Sequence, residues 1–318
     1  MVLVDDLSTG SRENVRHLLD EGRAELVEGS VLDEALVDDL MRPADTCFHL
    51  AAAVGVKLVV NRPLESLLSN VRGADVVMEA TARRGTRLLF TSTSEIYGKQ
   101  CQGALDEDCD RILGSLSKSR WGYSAAKAVG EMLAYEYFRE HGTPTTVVRL
   151  FNTVGPRQTG SHGMVLPTFV RQALRGEDVT VYGDGAQTRC FTHVYDAVEA
   201  MVGLSGCDEA LGRAFNVGNS QEVSINSLAR KVISRTGSNS TIRHVPYGDA
   251  YPEGFEELGS RRPDTAAIQR VTGWRPLRDI DDAIEDVVCY EAAGRAPAVT
   301  AASTGQPSPG IGELRLAR

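Results

Sequence analysis

Tyr123 and Lys127 lie four residues apart in the run YSAAK, at the start of a stretch that predicts a long helix. This spacing places both side chains on one helix face. A phenol, whose pKa is ordinarily about 10, can act as a base near neutral pH if an ammonium group beside it lowers that pKa. Thr93, followed by Ser94 and Glu95, ends a strand-like run about thirty residues earlier. This combination favours proton-transfer chemistry, whereas the helix alone would also fit an amphipathic helix with a surface lysine.

The run VLVDD at the start of the chain predicts a strand that ends in two carboxylates, Asp5 and Asp6. In dinucleotide-binding folds, a carboxylate in this place accepts both hydroxyls of the adenosine ribose, which favours NAD over NADP. An acidic residue after a strand is also common as a cap or in a turn. A later strand ends in Leu50 and the small residues Ala51 and Ala52, which would let a flat ligand or a packed helix approach the backbone.

Strand-like and helical stretches alternate over the first half of the chain. This alternation predicts an α/β fold with a Rossmann-like, doubly wound parallel sheet. After Asn152 the mixture of glycines, prolines and short strands predicts a smaller mixed α/β substrate domain. We therefore expect an NAD-binding domain over 1–152, a mainly nucleotide-sugar-binding domain with chain crossings back to the sheet over 153–294, and a disordered tail over 295–318.

The predicted secondary structure can be compared with the fold below. The predicted strands are Val2–Val4, Glu25–Val27, Thr46–Leu50, Arg87–Ser92, Thr145–Leu150, Val179–Tyr182, Ala214–Val217 and Ile242–Val245. The predicted helices are Ala35–Met41, Leu64–Arg84, Ser124–Gly142, Val165–Arg175, Val194–Leu204 and Ile225–Thr236.

The composition excludes several classes of protein. The net charge of the 318 residues is -9, which argues against nucleic acid or an anionic membrane as the main partner. No apolar run approaches the roughly 20 residues that span a bilayer, and the N-terminus lacks the pattern of a signal peptide. The six cysteines show no CxxC spacing, so we expect reduced thiols, no metal site and a cytoplasmic location.

Seven motifs occur together in this chain: VDDLSTG, HLAAAVG, TSTSEIYG, YSAAK, RLFNTVGPRQ, VYGDGAQTRCFTHVYDAV and RRPDTAAIQRVTGW. In their order and spacing they resemble the extended short-chain dehydrogenase/reductase family of sugar-nucleotide epimerases, dehydratases and decarboxylases. The resemblance extends from Val2 to about Tyr290. It implies an enzyme that uses NAD, acts on a nucleotide sugar through transient oxidation at C4, and forms a homodimer.

The resemblance also implies roles for individual residues. Tyr123 is similar to the base that takes the proton of the C4 hydroxyl, assisted by Thr93, and Lys127 to the group that lowers its pKa and binds the nicotinamide ribose. Asn152 matches a residue that contacts the diphosphate, and Arg189 and Arg261 match residues that reach the phosphates or the sugar. The remaining expected contacts are Asp5, Asp6, Ser30, Val31, Leu50, Ala51 and Ala52 for NAD, and Ser94 for the substrate.

Glu95 bears on the choice of reaction. Simple 4-epimerases of the family often carry a neutral residue there, and 4,6-dehydratases carry an Asp-Glu pair. The Thr-Ser-Glu arrangement with Arg261 resembles that of UDP-glucuronate decarboxylases, although Glu95 could also merely orient sugar hydroxyls. We expect a UDP-sugar 4-epimerase first, with UDP-glucuronate decarboxylase or nucleotide-sugar dehydratase as the alternative. A non-catalytic nucleotide-sugar-binding relative is the alternative from another class.

The sequence departs from the family at its start. The family has a strand and a GxxGxxG turn well before the acidic ribose ligand, whereas here Met1 lies four residues before Asp5. In a doubly wound sheet that strand is central, so we expect a truncated chain in which two flanking strands lack a neighbour and NAD binds weakly. Ser30 also replaces an acidic residue that is common near the adenine.

Overall fold

The structure is a computed structural model that describes residues 1–54, 62–100, 103–159, 164–250 and 259–294. The tail predicted over 295–318 lies outside the described residues. The strands are β1 Val2–Asp5, β2 Glu25–Glu28, β3 Thr46–His49, β4 Arg87–Thr93, β5 Ala104–Leu105, β6 Thr145–Leu150, β7 Thr153–Val154, β8 Val179–Tyr182, β9 Thr188–Cys190, β10 Thr192–His193, β11 Arg213–Val217, β12 Glu222–Ser224, β13 Ile242–Val245 and β14 Arg262–Pro263.

The helices connect and cover these strands. The α-helices are α1 Arg16–Asp20, α2 Glu34–Met41, α3 Pro63–Arg84, α4 Gly122–His141, α5 Val165–Leu174, α6 Val194–Ser205, α7 Ile225–Thr236, α8 Tyr247–Ala250, α9 Ala266–Thr272 and α10 Ile280–Ala293. Short 3-10 helices are Arg12–Asn14, Ser94–Tyr97, Ser119–Trp121 and Asp208–Ala210. The strands and helices expected from the sequence are all present, with ends that differ by at most two residues.

Four parallel strands form the main sheet, in the order β11-β6-β4-β3. Their side chains are largely buried because helices cover both faces. Helices α2, α3 and α4 pack on one face around Met78 and Phe90, and α6 and α9 pack on the other around Leu89 and Phe215. The parallel, doubly wound arrangement expected from the sequence is confirmed.

The ends of α3 and α4 are encoded locally. Pro63 starts α3, where its missing N–H is not needed, and Gly85 ends it with a φ of 68° that favours glycine. Gly142 ends α4 in the same conformation, with a φ of 65°. These stops let the chain turn back into β4 and β6, and so align the two strand ends that carry the site.

The first two strands form a sheet of their own. Within the described residues, β1 pairs only with β2, in parallel, and β3 pairs only with β4. Val2 and Phe48 are 45% and 40% exposed on these strands. Strands β1 and β3 therefore share no sheet among the described residues.

The second half of the chain builds a further core. Helices α5, α7 and α10 pack around Leu166, Val181 and Ile284, alongside the parallel pair of β8 and β13. Strand β11 crosses back to the main sheet and pairs with β6, so the run Ala214–Val217 does not lie in this second unit. No helix in the described part of the chain is long and apolar enough to cross a membrane.

Candidate active site

The end of β4 and the start of α4 meet through hydrogen bonds. The Thr93 hydroxyl accepts from the Glu95 backbone N–H at 3.2 Å and is hydrogen-bonded to the Tyr123 phenol. The Ser124 hydroxyl donates to the Glu95 carbonyl at 2.8 Å. The structure therefore brings Thr93, Glu95 and Tyr123 together, although they come from separate segments. Ser94, which lies between Thr93 and Glu95 in the sequence, is also buried.

Lys127 lies one turn beyond Tyr123 on the same helix face and is buried. Its Nζ donates to the Thr91 carbonyl at 2.8 Å and lies 5.0 Å from the centroid of the Phe90 ring. Burial lowers the pKa of Lys127 to about 8. Burial and the neighbouring Lys127 lower the pKa of His49 to about 3, so this histidine is neutral at physiological pH.

The expected lowering of the Tyr123 pKa by Lys127 is not found in this structure. Burial and the charge of Glu95 raise the pKa of the phenol, and the hydrogen bond from Thr93 and the charge of Arg120 offset only part of this effect. The helix-face prediction holds, but the ammonium is directed to the Thr91 carbonyl of β4.

Arg120 is a site residue that the sequence reasoning missed. Its Nη1 lies 2.6 Å from Glu95 Oε2 and its Nη2 3.0 Å from Oε1, and both side chains are largely buried. Burial raises the pKa of Glu95, but Arg120, assisted by Arg261 and Arg189, lowers it overall. Glu95 is thus a carboxylate at neutral pH. The only sequence signal for Arg120 is its place three residues before Tyr123, in SRWGY.

Arg261 and Arg189 complete a group of three guanidinium groups around Glu95. Arg261 is buried, and its Nε and Nη1 atoms have no hydrogen-bond partner in the described residues. Burial lowers the pKa of Arg261 to about 10. Arg189 is half-buried and donates from Nη1 to the Thr188 carbonyl at 2.7 Å. Buried guanidinium nitrogen atoms without a partner are unfavourable, so Arg261 is suited to bind an anionic ligand.

Asn152 follows β6 with a φ of 23°, outside the regions that most residues adopt. Its amide donates from Nδ2 to the Cys190 carbonyl at 2.9 Å. This bond connects the end of the main sheet to β9, the strand that carries Arg189. In this structure Asn152 therefore joins the two halves of the site.

A cavity of about 710 Å³ lies at the carboxyl ends of β1, β2 and β3. The expected NAD contacts Asp5, Asp6, Ser30, Val31, Leu50, Ala51 and Ala52 all line it, and so do Ser8, Thr9, Gly10, Arg62, Glu65 and Ser69. Its size and its small side chains fit a dinucleotide. A Cβ at Gly10 would lie 2.9 Å from Asp5 Oδ1, so only glycine lets the loop pass this close to the carboxylate.

Local hydrogen bonds hold the rim of this cavity. Asp5 Oδ1 accepts from the Leu7 N–H at 2.7 Å, and Asp6 Oδ1 accepts from both the N–H and the hydroxyl of Ser8, which lower the pKa of Asp6. Asn70 of α3 binds both backbone groups of Ala53, at 3.1 and 3.0 Å. Sequence reasoning missed Asn70, which fixes the alanine turn that follows β3.

The comparisons with known proteins agree with this geometry. Residues 1–218 match the NAD dependent epimerase/dehydratase family. The chain belongs to this family. A UDP-N-acetyl-alpha-D-glucosaminuronate decarboxylase of Bacillus cytotoxicus is 37% identical over 290 residues, which cover 91% of this chain and 88% of that protein. UDP-glucuronic acid decarboxylase 1 of Xenopus tropicalis is 30% identical over 91% of this chain and 66% of its own length.

A solved structure of UDP-glucose 4-epimerase from Thermotoga maritima has a TM-score of 0.82 and 27% identity, with 92% of this chain and 91% of that chain covered. Together with the family match, this confirms the Rossmann-like fold, the enzyme class and NAD as the cofactor. Among the described residues, no group of three or more His, Cys, Asp or Glu side chains is placed to hold a metal ion.

The buried lysine leads to a test by pH. In the folded protein the pKa of Lys127 is about 8, below the 10.5 of an ordinary lysine, so above about pH 8 the unfolded chain binds more protons than the folded one. The free energy of unfolding of wild type should therefore rise relative to Lys127→Met, by up to about 1.4 kcal/mol per pH unit between about pH 8 and 10. Denaturant unfolding without added nucleotide measures this difference.

Lys231→Met is the matched control, since Lys231 forms an exposed ion pair with Asp281 on the second unit. Stability curves for wild type and Lys127→Met that stay parallel across this pH range would contradict the burial of a charged lysine at this position.

Proposed function

We propose that this protein is an NAD-dependent decarboxylase of UDP-hexuronates, such as UDP-glucuronate or its 2-acetamido analogue. The observation that carries the proposal is Arg261, which is buried beside the Glu95–Arg120 pair and whose Nε and Nη1 have no hydrogen-bond partner among the described residues. Among the described residues, the charges of Arg120, Arg261 and Arg189 all act on Glu95, and guanidinium groups are well suited to bind a substrate that has a carboxylate as well as a diphosphate. The names of the Bacillus and Xenopus relatives support the same class of substrate.

The proposed chemistry begins at the C4 hydroxyl of the sugar. Tyr123, hydrogen-bonded to Thr93, accepts the hydroxyl proton as C4 becomes a ketone. The cavity beside Asp5 would hold NAD, whose nicotinamide would supply the acceptor and later the donor of the C4 hydride. Lys127, one helical turn beyond Tyr123, is the group expected to bind the nicotinamide ribose. The ketone at C4 makes the C6 carboxylate a β-keto acid.

Loss of carbon dioxide then follows from the chemistry of a β-keto acid. The C5–C6 bond breaks, C6 leaves as CO₂, and the electron pair moves to the C4 oxygen as an enolate. A proton returns to C5, and reduction of the C4 ketone gives the UDP-pentose. Arg261, Arg189 and Arg120 orient the carboxylate, while Glu95 limits how tightly it is held, because a carboxylate bound too firmly leaves more slowly.

A UDP-sugar 4-epimerase is the second candidate. It needs only the oxidation and reduction at C4, for which Thr93, Tyr123 and Lys127 suffice, and it is favoured by the similarity to the Thermotoga 4-epimerase structure. This reaction gives the Arg261 group no carboxylate to bind unless the substrate is itself a uronate. For that reason we place it second.

We also propose a cytoplasmic homodimer. Exposed apolar side chains lie on the neighbouring helices α3 and α4, namely Leu64, Leu68, Val129 and Met132. A second copy of the chain could cover them by a symmetric pairing of these helices. Met132, which is 58% exposed, should then lie in the interface.

Met132→Glu should shift the protein from dimer to monomer in sedimentation equilibrium, because a buried unpaired carboxylate destabilises the interface. Leu277→Glu is the matched control, since Leu277 is 78% exposed and lies far along the chain from both helices. A Met132→Glu protein that stays dimeric, or a monomeric wild type, would contradict this interface.

The reaction itself is tested by product mass. Wild type with NAD and a panel of UDP-glucuronate, its 2-acetamido analogue, UDP-glucose and dTDP-glucose should release CO₂ from the uronates only. Tyr123→Phe should lower the rate by about 10²–10⁴, as expected for loss of a general base. Products of unchanged mass would favour the epimerase, and loss of water would favour a dehydratase; either outcome contradicts decarboxylation.

Glu95→Gln separates the two leading reactions. Removal of the carboxylate releases Arg120 toward the substrate. For a decarboxylase we expect tighter binding of UDP-glucuronate and CO₂ release slower by roughly tenfold or more, a joint fall of KM and kcat. Glu136→Gln is the control, because it alters the exposed ion pair of Glu136 with Arg139 on α4. For an epimerase on neutral sugars only a modest fall is expected, and unchanged kinetics with every substrate would leave Glu95 with no part in the reaction.

A further inference from the structure

Asn216 is a fully buried polar residue in β11 whose hydrogen-bonding groups are all used. Its backbone N–H donates to Glu107 Oε1 at 2.7 Å, and its Oδ1 accepts from the Tyr97 hydroxyl at 2.7 Å. Its Nδ2 donates to the Leu105 carbonyl at 2.9 Å and to the Asp264 carbonyl at 3.3 Å. Such a residue is costly to bury, so the contacts it makes indicate what it does.

The two carbonyls belong to the segments that place Arg261. Strand β14, which directly follows Arg261, pairs in parallel with β5, and the Asp264 N–H donates to the Leu105 carbonyl at 2.8 Å. A ladder of two residues per strand is too short to be rigid by itself. From the main sheet, Asn216 binds Leu105 of β5 and Asp264, which directly follows β14. It therefore ties the Arg261 segment to β11, the strand beside β6.

The orientation of the amide is fixed from the other side. Arg149 Nη1 donates to the Tyr97 hydroxyl at 2.9 Å, so that hydroxyl donates its own proton to Asn216 Oδ1. Arg149 is itself held by a buried ion pair with Glu131, at 2.7 Å. The amide nitrogen must then face the Leu105 and Asp264 carbonyls. Tyr97 also ends the 3-10 helix that carries Glu95, so one network sets both partners of the site.

We propose that Asn216 is a positioning residue that holds Arg261 at the distance from Glu95 required to bind the anionic group of a nucleotide sugar. The inference rests on the proposed function in one respect, since it takes Arg261 as a substrate contact. Tyr97 supports this placement of Arg261 by orienting the side-chain amide of Asn216. A merely structural asparagine would affect stability, whereas a positioning residue must affect binding through Arg261 alone.

A double-mutant cycle tests this proposal on protein that cannot turn over. In a Tyr123→Phe background with NAD present, Arg261→Ala and Asn216→Ala should each weaken binding of UDP-glucuronate, by roughly 10- to 100-fold, as expected for a charge-assisted hydrogen bond. The double variant should be no weaker than Arg261→Ala, because the effect of Asn216 passes through that guanidinium. Isothermal titration calorimetry measures each Kd.

Thr146→Val is the matched control. Thr146 is buried at the other end of the same strand pair, and its hydroxyl donates to the Ala210 carbonyl at 3.2 Å, so the variant loses a comparable bond without a change in Kd. Tyr97→Phe keeps the asparagine but removes the bond that orients it, which covers the case in which Asn216→Ala does not fold. Tyr97→Phe should weaken binding by roughly 3- to 10-fold in protein that keeps Arg261, and should have no further effect in the Arg261→Ala protein.

Several results would overturn the proposal. One is a double variant whose Kd rises by the product of the two single effects of Asn216→Ala and Arg261→Ala. Another is an unchanged Kd in folded Asn216→Ala or Tyr97→Phe. A third is an unchanged Kd in Arg261→Ala. The cycle measures binding only, so it can support this proposal even if wild type releases no CO₂. Failure of the decarboxylase assay can therefore be distinguished from failure of this proposal.

Discussion

The buried ion pair of Glu95 and Arg120 is the interaction on which the rest of the site depends. Two charges taken out of water are costly, and their bidentate contact offsets that cost only if both ends are held. Glu95 is held by the turn after β4, whose N–H and carbonyl groups bind Thr93 and Ser124. Arg120 lies in the 3-10 helix Ser119–Trp121, directly before α4. Because these same elements carry Thr93 and Tyr123, the pair also sets the spacing of the reacting hydroxyls.

The site is joined to the cofactor cavity through the main sheet. Lys127 binds the Thr91 carbonyl, and the Thr91 hydroxyl donates to the His49 carbonyl at 2.8 Å. His49 ends β3, after which the alanine turn forms the cavity wall. A displacement of β3 relative to β4 would therefore reach Lys127. Strands β1 and β2 form a separate sheet, and their separation from the main sheet leaves this connection intact. The side of the cavity that β1 and β2 line therefore has no strand pairing to the main sheet among the described residues.

Most of the fold could be predicted from the sequence because it depends on local patterns. The helix from Pro63 to Arg84 is marked by a proline at its start and a glycine after its end. The site was predicted where a motif carried it, as for Tyr123 and Lys127. Arg120 and Asn216 were missed because their partners lie far along the chain, 25 residues away for Glu95 and 111 for Leu105. The sequence also could not specify that the Lys127 ammonium binds the Thr91 carbonyl, because that contact depends on how α4 packs on β4.

The contrast between the whole molecule and its site bears on specificity. The chain carries a net charge of -9, whereas the described site holds three guanidinium groups around one carboxylate. A negative net charge gives no overall long-range attraction for an anionic nucleotide sugar. Selection must instead come from short, desolvated contacts, which salt screens far less than it screens exposed charges. If Arg261 binds the substrate as proposed, a ligand without a second anionic group would leave its Nε and Nη1 without a partner among the described residues, and this penalty would favour a uronate over a neutral sugar.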